Sequence, residues 1–547
     1  MNHKPPVLLT DLQIRQFICD GFLVLQTDVD DSVHQTIDDK YNYLVENEPN
    51  PGNNIMARLP ELKKIADCAV VQGALISLLG EDYFFHPHMF WHHRQPDKEK
   101  MSDEQVRNSV ENGSHQDSYT PCVQAKSHKF QYLRFMYYSH DIELENGPTH
   151  IVPGSHFHSH IIDEDRRREI PVVGKAGTVF FSHFDLIHAG CPNLSDRCRN
   201  MIKFIFLSGK EKPRWFHKDS EWVTPDNIRA PFELEQCWRS QWENFTKTKM
   251  IRETRSKNDL VLDEQELIEQ LKNKGNARLR AITKIGTLNN LSANLGEPLL
   301  DIFEFGSQAE RTEAIYSFKV IGVSAITPLI ESLMAKKGEL QIEGQKKFNS
   351  KHLFNSVYSC EDECYALIVI GENGYHKEVL DAIQPLLESE NEWNKLNAIH
   401  IVNDLKTHHE KSIKKLIEML NDTQAPLTAF VKCQIVNALG SIGTADIAVV
   451  LCDILDKAWS DDVYNRSDWT ESYAIHYNAA MGLVRMGSEA NGLEERLLPH
   501  IDHPYGQVGI CLVECLKRIG SENTMRYLLG HLQARRWDAS LTTKVTF

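Results

Sequence analysis

The sequence has no CxxC pair, no stretch of a single charge sign and no low-complexity segment. It also lacks any apolar run of the roughly 18 residues that a membrane span needs. Each absence excludes something. Without paired cysteines the twelve Cys build no zinc knuckle, and Cys360/Cys364 and Cys511/Cys515, spaced four apart, suit one face of a helix. The opening MNHKPPVLLT lacks a charged segment followed by an apolar one, so no export signal is read. These features describe a soluble chain held in a reducing, cytoplasmic compartment. No basic stripe is present: the net charge is −16, and the run Arg166 to Arg168 follows Asp163, Glu164 and Asp165, which offset it. A nucleic-acid partner, which needs clustered Lys and Arg to displace counterions, is therefore not expected, and neither is a membrane.

What is present divides in two. At 547 residues the chain exceeds the roughly 250–300 residues at which one core stops growing, so at least two domains are expected. Near the start, Thr10 with Gln13 forms a capping box for a helix that runs to Gly21. FLVLQ, FQYLRFMYYSH, IPVV, GTVFFSH and NMIKFIFLS then read as strands, rich in aromatic and β-branched residues and separated by turns such as Glu145-Asn146-Gly147-Pro148. Short, punctuated strands of this kind make an antiparallel sandwich or barrel, assigned here to residues 1–250.

Beyond about residue 255 the strands vanish and a helical repeat takes over, covering residues 251–547. Successive helices end on Gly286, Gly322, Gly371, Asn403, Gly443, Gly487 and Gly520. Each has an apolar residue one before that end, and a small one five before it: Ala281, Ser317, Ala366, Ala398, Ala438, Gly482 and Cys515. The small residue admits a neighbouring helix, while the terminal Gly, or Asn403 in its place, is expected in the left-handed conformation that closes a helix. Amphipathic second helices such as AITPLIESLM and SIKKLIEML follow. Stacked helical hairpins of this sort resemble a HEAT-repeat solenoid over about residues 262–535. The longer spacings carry 335–352 and 457–472, expected as projecting insertions.

The chemistry is concentrated in the first half. In His115-Gln116-Asp117 the two outer side chains share one side of an extended segment, so both can reach one metal. Two histidines and a carboxylate bind iron(II) on one face and leave the other positions open. FFSHFDLIHAGCPN offers His183 and His188 as the third ligand. His188 is preferred because it stands beyond the apolar strand, before the turn Gly190-Cys191-Pro192-Asn193. Arg199 follows at the start of the next strand, where its guanidinium can hold a carboxylate in a paired hydrogen bond. The four histidines of FFHPHMFWHHRQ have no carboxylate nearby and read as packing or substrate contacts. His156, His158 and His160 read as loop histidines, and Cys191 and Cys198 as packing residues. The charged stretch 94–113 is a candidate lid.

Four pieces in order, LTDLQIRQFICDGFLVL, GSHQDSYT, ENGPTHIVPGSH and HAGCPNLSDRCRNMIKF, resemble the phytanoyl-CoA dioxygenase family over about residues 8–210. The resemblance implies a double-stranded β-helix (jelly roll, cupin-like) with flanking helices. It also implies iron(II) on His115, Asp117 and His188, with 2-oxoglutarate held by Arg199 and, less directly, by Gln131, and O2 as the second co-substrate. The implied activity is that of a non-heme dioxygenase that hydroxylates or otherwise oxidises a C–H bond and releases succinate and CO2. Family members that install chloride replace the carboxylate ligand with Ala or Gly; Asp117 is present, so oxidation is expected instead. The expected substrate is a small polar metabolite or a carrier- or peptide-bound group, with the helical surface free to take a protein partner. The rival reading is a scaffold protein whose oxygenase domain has lost its activity.

Overall fold

A computed structural model of the chain describes residues 4–49, 51–97, 101–117, 127–209, 221–246, 257–288, 293–336, 360–424, 427–459, 463–466 and 469–535. The first helix, Asp11–Asp20, begins at the expected capping box of Thr10 and Gln13 and stops at Gly21. Gly21 has φ 79°, and a Cβ there would stand 2.5 Å from His156 Nδ1, so both conformation and space require glycine.

Among the described residues of the first half nine strands follow: β1 (Phe22–Gln26), β2 (Phe84–Phe85), β3 (Phe90–Arg94), β4 (Tyr132–Tyr138), β5 (Thr149–Ile151), β6 (Ile170–Val172), β7 (Thr178–His183), β8 (His188–Gly190) and β9 (Arg199–Leu207). A six-stranded sheet runs β1-β7-β4-β9-β2, with β3 also on β9, and a three-stranded sheet runs β6-β5-β8. The pairings are antiparallel throughout. β4 and β9 lie at the centre of the large sheet and are buried along their whole length. A two-sheet antiparallel sandwich is thus observed where the strand pattern predicted one.

The chain then becomes mostly helical. Helices end at four of the expected left-handed glycines, Gly322 (φ 67°), Gly443 (φ 70°), Gly487 (φ 56°) and Gly520 (φ 69°). Three positions differ. Gly286 lies inside the helix Asn276–Thr287, and Gly371 keeps right-handed geometry (φ −55°). Asn403 stays within Glu392–Leu405, and Lys406 (φ 51°) takes the left-handed cap instead. The physical reason is local: Asn403 Nδ2 donates to Asp404 Oδ1 at 2.9 Å, and the helix continues past it to Leu405. The small residues do meet their neighbours: Ser317 Oγ donates to Ile282 O at 2.9 Å, and a Cβ on Gly482 would stand 2.9 Å from Gly440 Cα.

Strands do not vanish entirely, because the insertion expected at 457–472 contains an antiparallel hairpin, β10 (Val463–Arg466) with β11 (Trp469–Tyr473). Most of the insertion at 335–352 lies outside the described residues. Gln308–Ala335 has the length and apolarity of a membrane span, but it turns at Gly322 into two helices, of which the first is largely buried in the protein.

Two compact units result, residues 1–434 and 435–547. The expected boundary near 250 marks the change from sheet to helix but no break in packing. The helix Glu235–Thr246 lies against Asp11–Asp20 and also against Gln308–Ile321. Glu313 of the latter accepts the backbone N–H of Gln236 at 2.9 Å and of Cys237 at 3.4 Å.

Candidate metal centre

His115 and His188 form a bridge between their strands: each backbone N–H donates to the other's carbonyl, at 2.9 and 3.0 Å. This pairing extends the small sheet and sets the two imidazoles side by side, ring centroids 4.3 Å apart. His115 Nδ1 is 2.8 Å from Gly113 O, and His188 Nδ1 is 3.1 Å from Leu186 O. Carbonyls only accept, so each ring carries its proton on Nδ1 and presents Nε2 with a lone pair, the arrangement that metal-binding histidines require. Asp117 Oδ1 stands 3.8 Å from His115 Nε2 and 3.9 Å from His188 Nε2.

The donor atoms of His115, Asp117 and His188 all lie within 4.8 Å of one another, and among the described residues this is the one His, Cys, Asp and Glu group that could hold a metal ion. Donors at right angles on bonds of about 2.1 Å would be about 3 Å apart, so closing on an ion needs shifts below about 1 Å. The donor set of two neutral imidazoles and one carboxylate fits iron(II).

Asp117 is held from behind. Its Oδ2 accepts Arg134 Nη2 at 2.8 Å and Nε at 3.1 Å, with Lys203 Nζ at 3.5 Å. Burial alone would raise this carboxyl, but the Lys203 ammonium and the Arg134 guanidinium outweigh it and hold it well below the usual carboxylate range. Arg134 is itself fixed, donating also to Ser182 Oγ at 3.2 Å and Phe184 O at 2.9 Å. Between the two ligands, Gln116 donates to Asp185 O at 2.8 Å and to His158 O at 3.5 Å, which keeps the extended segment in register.

Arg199 opens β9, where Arg94 of β3 is its partner across the ladder. The residue is only 6% exposed, and its Nε and Nη1 are buried without a hydrogen-bond acceptor. Burial and the nearby Arg94 depress its basicity, against the pull of the Tyr138 and Tyr41 hydroxyls. A buried guanidinium with unfilled donors calls for an anion, and a terminal carboxylate would satisfy it. Gln131 is not brought to the cluster: it precedes β4 one position out of phase with Tyr132 and Arg134, which places it on the opposite face of the sheet.

His183, the alternative third ligand, turns away from the cluster, its Nδ1 accepting Asp185 N at 3.1 Å and its ring packed on Phe130 and His156. His156 and His158 sit in the loop after β5, as expected, engaged by Ile18 O at 3.2 Å and Asp165 Oδ2 at 3.1 Å. Stretch 94–113 contains the capped helix Asp103–Gly113, whose Val110 packs on Ala189 and Cys191 beside His188. Sequence reading overlooked Arg134 and Lys203, although a single charge inside the apolar runs YLRFMYY and MIKFIFL was a signal for both. It also assigned no specific place to His92. That ring is half-buried on β3, and burial together with Lys203 and Arg199 drives its pKa well down, with Nε2 buried and lacking a partner.

Residues 17–201 match the family described as Phytanoyl-CoA dioxygenase (PhyH). No curated protein matches the chain. Among solved structures, similarity is found to EvdMO1, at 20% identity and TM-score 0.27, where 36% of this chain spans about half (49%) of that one. It is also found to HygX from Streptomyces hygroscopicus with iron bound, at 15% identity over 37% of this chain and 88% of that one, TM-score 0.30. The epimerase SnoN in complex with Fe3+, alpha ketoglutarate and nogalamycin RO matches at 16% identity over 36% and 82%, TM-score 0.27.

Proposed function

Starting from a three-donor site inside a segment that matches the phytanoyl-CoA dioxygenase family, we propose that the protein is a non-heme iron(II), 2-oxoglutarate-dependent oxygenase. The observation that carries the reading is the pairing of His115, Asp117 and His188, all within 4.8 Å, with the acceptor-less buried guanidinium of Arg199 on a strand of the same sandwich. Bound iron(II) would supply O2 activation coupled to decarboxylation of 2-oxoglutarate, giving succinate and CO2 and oxidising a substrate C–H bond.

The chain's own residues do the positioning. Arg199 takes the far carboxylate of the co-substrate, Arg134 and Lys203 hold Asp117 ionised and aimed, and Gly113 O and Leu186 O fix the ring orientation of the two histidines. His115 is half exposed, its side chain 53% open, while His188 is buried, so substrate approaches from the His115 side. His92 and Phe90, ring centroids 4.6 Å apart on β3, offer a mixed polar and aromatic wall on the same face as Lys203. Such a wall suits a small polar metabolite, or the reactive end of a carrier- or peptide-bound group. Hydroxylation is the reaction favoured by the retained Asp117. We assign the helices after residue 250 to HEAT-type hairpins and the protein to the cytoplasm as parts of the same proposal.

The test is anaerobic addition of iron(II) and 2-oxoglutarate to the purified chain, read as the weak visible charge-transfer band of the chelate. Asp117→Ala and His188→Ala abolish the band and succinate release, whereas His183→Ala keeps both. Absence of the band in the wild type would favour the scaffold reading, and equal loss in all three variants would displace His188 as the third ligand.

A further inference from the structure

Lys203 stands in the middle of β9, a strand buried along its whole length, across the ladder from Phe90 of β3 and Met136 of β4. Such a position ordinarily takes an apolar residue, because burying an ammonium is costly unless its donors are met. Here they are not. The residue is 8% exposed and, among the described residues, its one partner is Asp117 Oδ2 at 3.5 Å. That oxygen already accepts Arg134 Nη2 at 2.8 Å and Nε at 3.1 Å. A lysine ammonium carries three N–H donors, so most of its hydrogen-bonding capacity is open.

The charge is unbalanced as well. Lys203 feels Asp117 and Arg134, so one carboxylate stands against two cations. Iron(II) and the dianionic co-substrate would bring equal and opposite charges, and loading the site therefore leaves the surplus in place. Arg94, the cation at the far end of β3, is already paired with Asp97 at 3.4 Å. The face beside the ammonium suits a flat or apolar body. Strand alternation puts Phe90 and His92 on the same side of the sheet as Lys203, with their ring centroids 4.6 Å apart. His92 Nε2 is buried without a partner, so a second group open to a hydrogen bond lies at the next residue of that face.

We propose that Lys203, assisted by His92, is the anion-binding point for the substrate, and that the substrate is a carboxylic acid or other oxyanion whose apolar body packs on Phe90. Lys203 then acts twice, steadying Asp117 and fixing the substrate beside the metal, while Arg199 keeps the co-substrate. The assignment narrows the substrate class within the iron(II) oxygenase reading and rests on it for the reaction, but anion binding at Lys203 can be tested without it. An ammonium accepts any oxyanion, so the experiment also separates substrate from co-substrate.

The experiment uses the full chain loaded with Mn(II) and 2-oxoglutarate, with benzoate as the probe and benzamide as its uncharged counterpart. Mn(II) affinity is first read from the free-ion EPR signal of each protein, so that equal amounts of loaded site are compared. The readout is paramagnetic broadening of the probe's proton signals, which falls steeply with distance from the metal. Benzoate should be broadened, and benzamide should bind about tenfold or more weakly, the difference a charge-assisted hydrogen bond makes. Lys203→Gln keeps a donor toward Asp117 but loses the charge, and should weaken benzoate binding about 10–100-fold. Lys203→Arg should keep most of the binding, and His92→Phe should lose about 3–10-fold. Equal broadening of benzoate and benzamide, or benzoate binding unchanged in Lys203→Gln, overturns the proposal. So does displacement of benzoate by added 2-oxoglutarate, or a loss in Lys203→Gln confined to 2-oxoglutarate affinity, since either places the anion of Lys203 on the co-substrate. A wild type that binds no Mn(II) removes the metal reading instead. Saturation-transfer NMR on the metal-free protein then decides the anion site, which stands if benzoate is held and is lost in Lys203→Gln, and falls if it is not.

Discussion

Arg199→Met separates the two roles that a buried arginine can have. In the structure Nε and Nη1 are buried without acceptors, and leaving such a donor unsatisfied costs about 1–3 kcal/mol. Methionine fills much of the same volume and has no donor to satisfy, so the substitution removes that desolvation cost. The apoprotein should therefore gain about 1–2 kcal/mol, a rise of a few degrees in melting temperature. The same change removes the partner of the co-substrate carboxylate. Truncating one side of a buried charged pair costs about 2–5 kcal/mol, which is about a 30-fold loss of affinity at the low end. The assay is thermal unfolding with Mn(II) present, with and without 2-oxoglutarate. At about a hundred times its Kd the ligand stabilises the wild type by about 2.7 kcal/mol, and at that same concentration the variant, with a Kd at least about 30-fold weaker, should keep at most about 0.9 kcal/mol of it. A variant that melts lower than the wild type, yet still responds fully to 2-oxoglutarate, would show that Arg199 is a packing residue and refute the reasoning.

Arg134→Met should act in the opposite direction on stability, because it strips the bidentate counter-charge from the half-buried Asp117: a loss of about 3 kcal/mol in urea unfolding of the apoprotein is expected, together with about 10–100-fold weaker Mn(II) binding. Glu313 gives a pH signature. It is buried, and burial raises its carboxyl from 4.5 to about 7 despite the N–H donors of Gln236 and Cys237 and the Thr283 hydroxyl. The folded chain therefore holds this proton more tightly than the unfolded chain between those values, so its contribution to stability is full below about pH 4.5 and falls as pH rises toward 7. The loss is about 3 kcal/mol at most, because each tenfold difference in proton affinity between the folded and unfolded chain is worth about 1.4 kcal/mol. Urea midpoints taken from pH 4.5 to 8 should show that slope in the wild type and a flatter one in Glu313→Gln; parallel curves would count against it.

How much could be read beforehand depended on the range of the interaction. The capping box at Thr10 and the strand of FLVLQ rest on neighbours within a few residues, and the structure places them as expected; it sets His188, and not His183, beside His115 and Asp117. Asp117 was legible as a candidate ligand, but not Arg134 and Lys203 as what holds it, because that contact depends on β4 and β9 lying side by side, and strand order is not written in any local pattern. The same limit explains Gln131, where a single position of phase decides which face of the sheet a side chain meets. Asn403 failed for a different reason: its preference for the left-handed turn is real but weak, and its side chain found a partner in Asp404 while Lys406 closed the helix.

Near residue 250 the change of period comes without a break in packing. Periodicity reports which face of each element is buried; it does not report against what. Here Ser127, His128 and Lys129 come from the sandwich, and their acceptors and stacking partners come from helices some 190 to 280 positions later in the chain. A chain cut after 250 would leave the Lys129 ammonium and the His128 ring without those partners. The two halves, distinct in sequence, are in this respect packed as one.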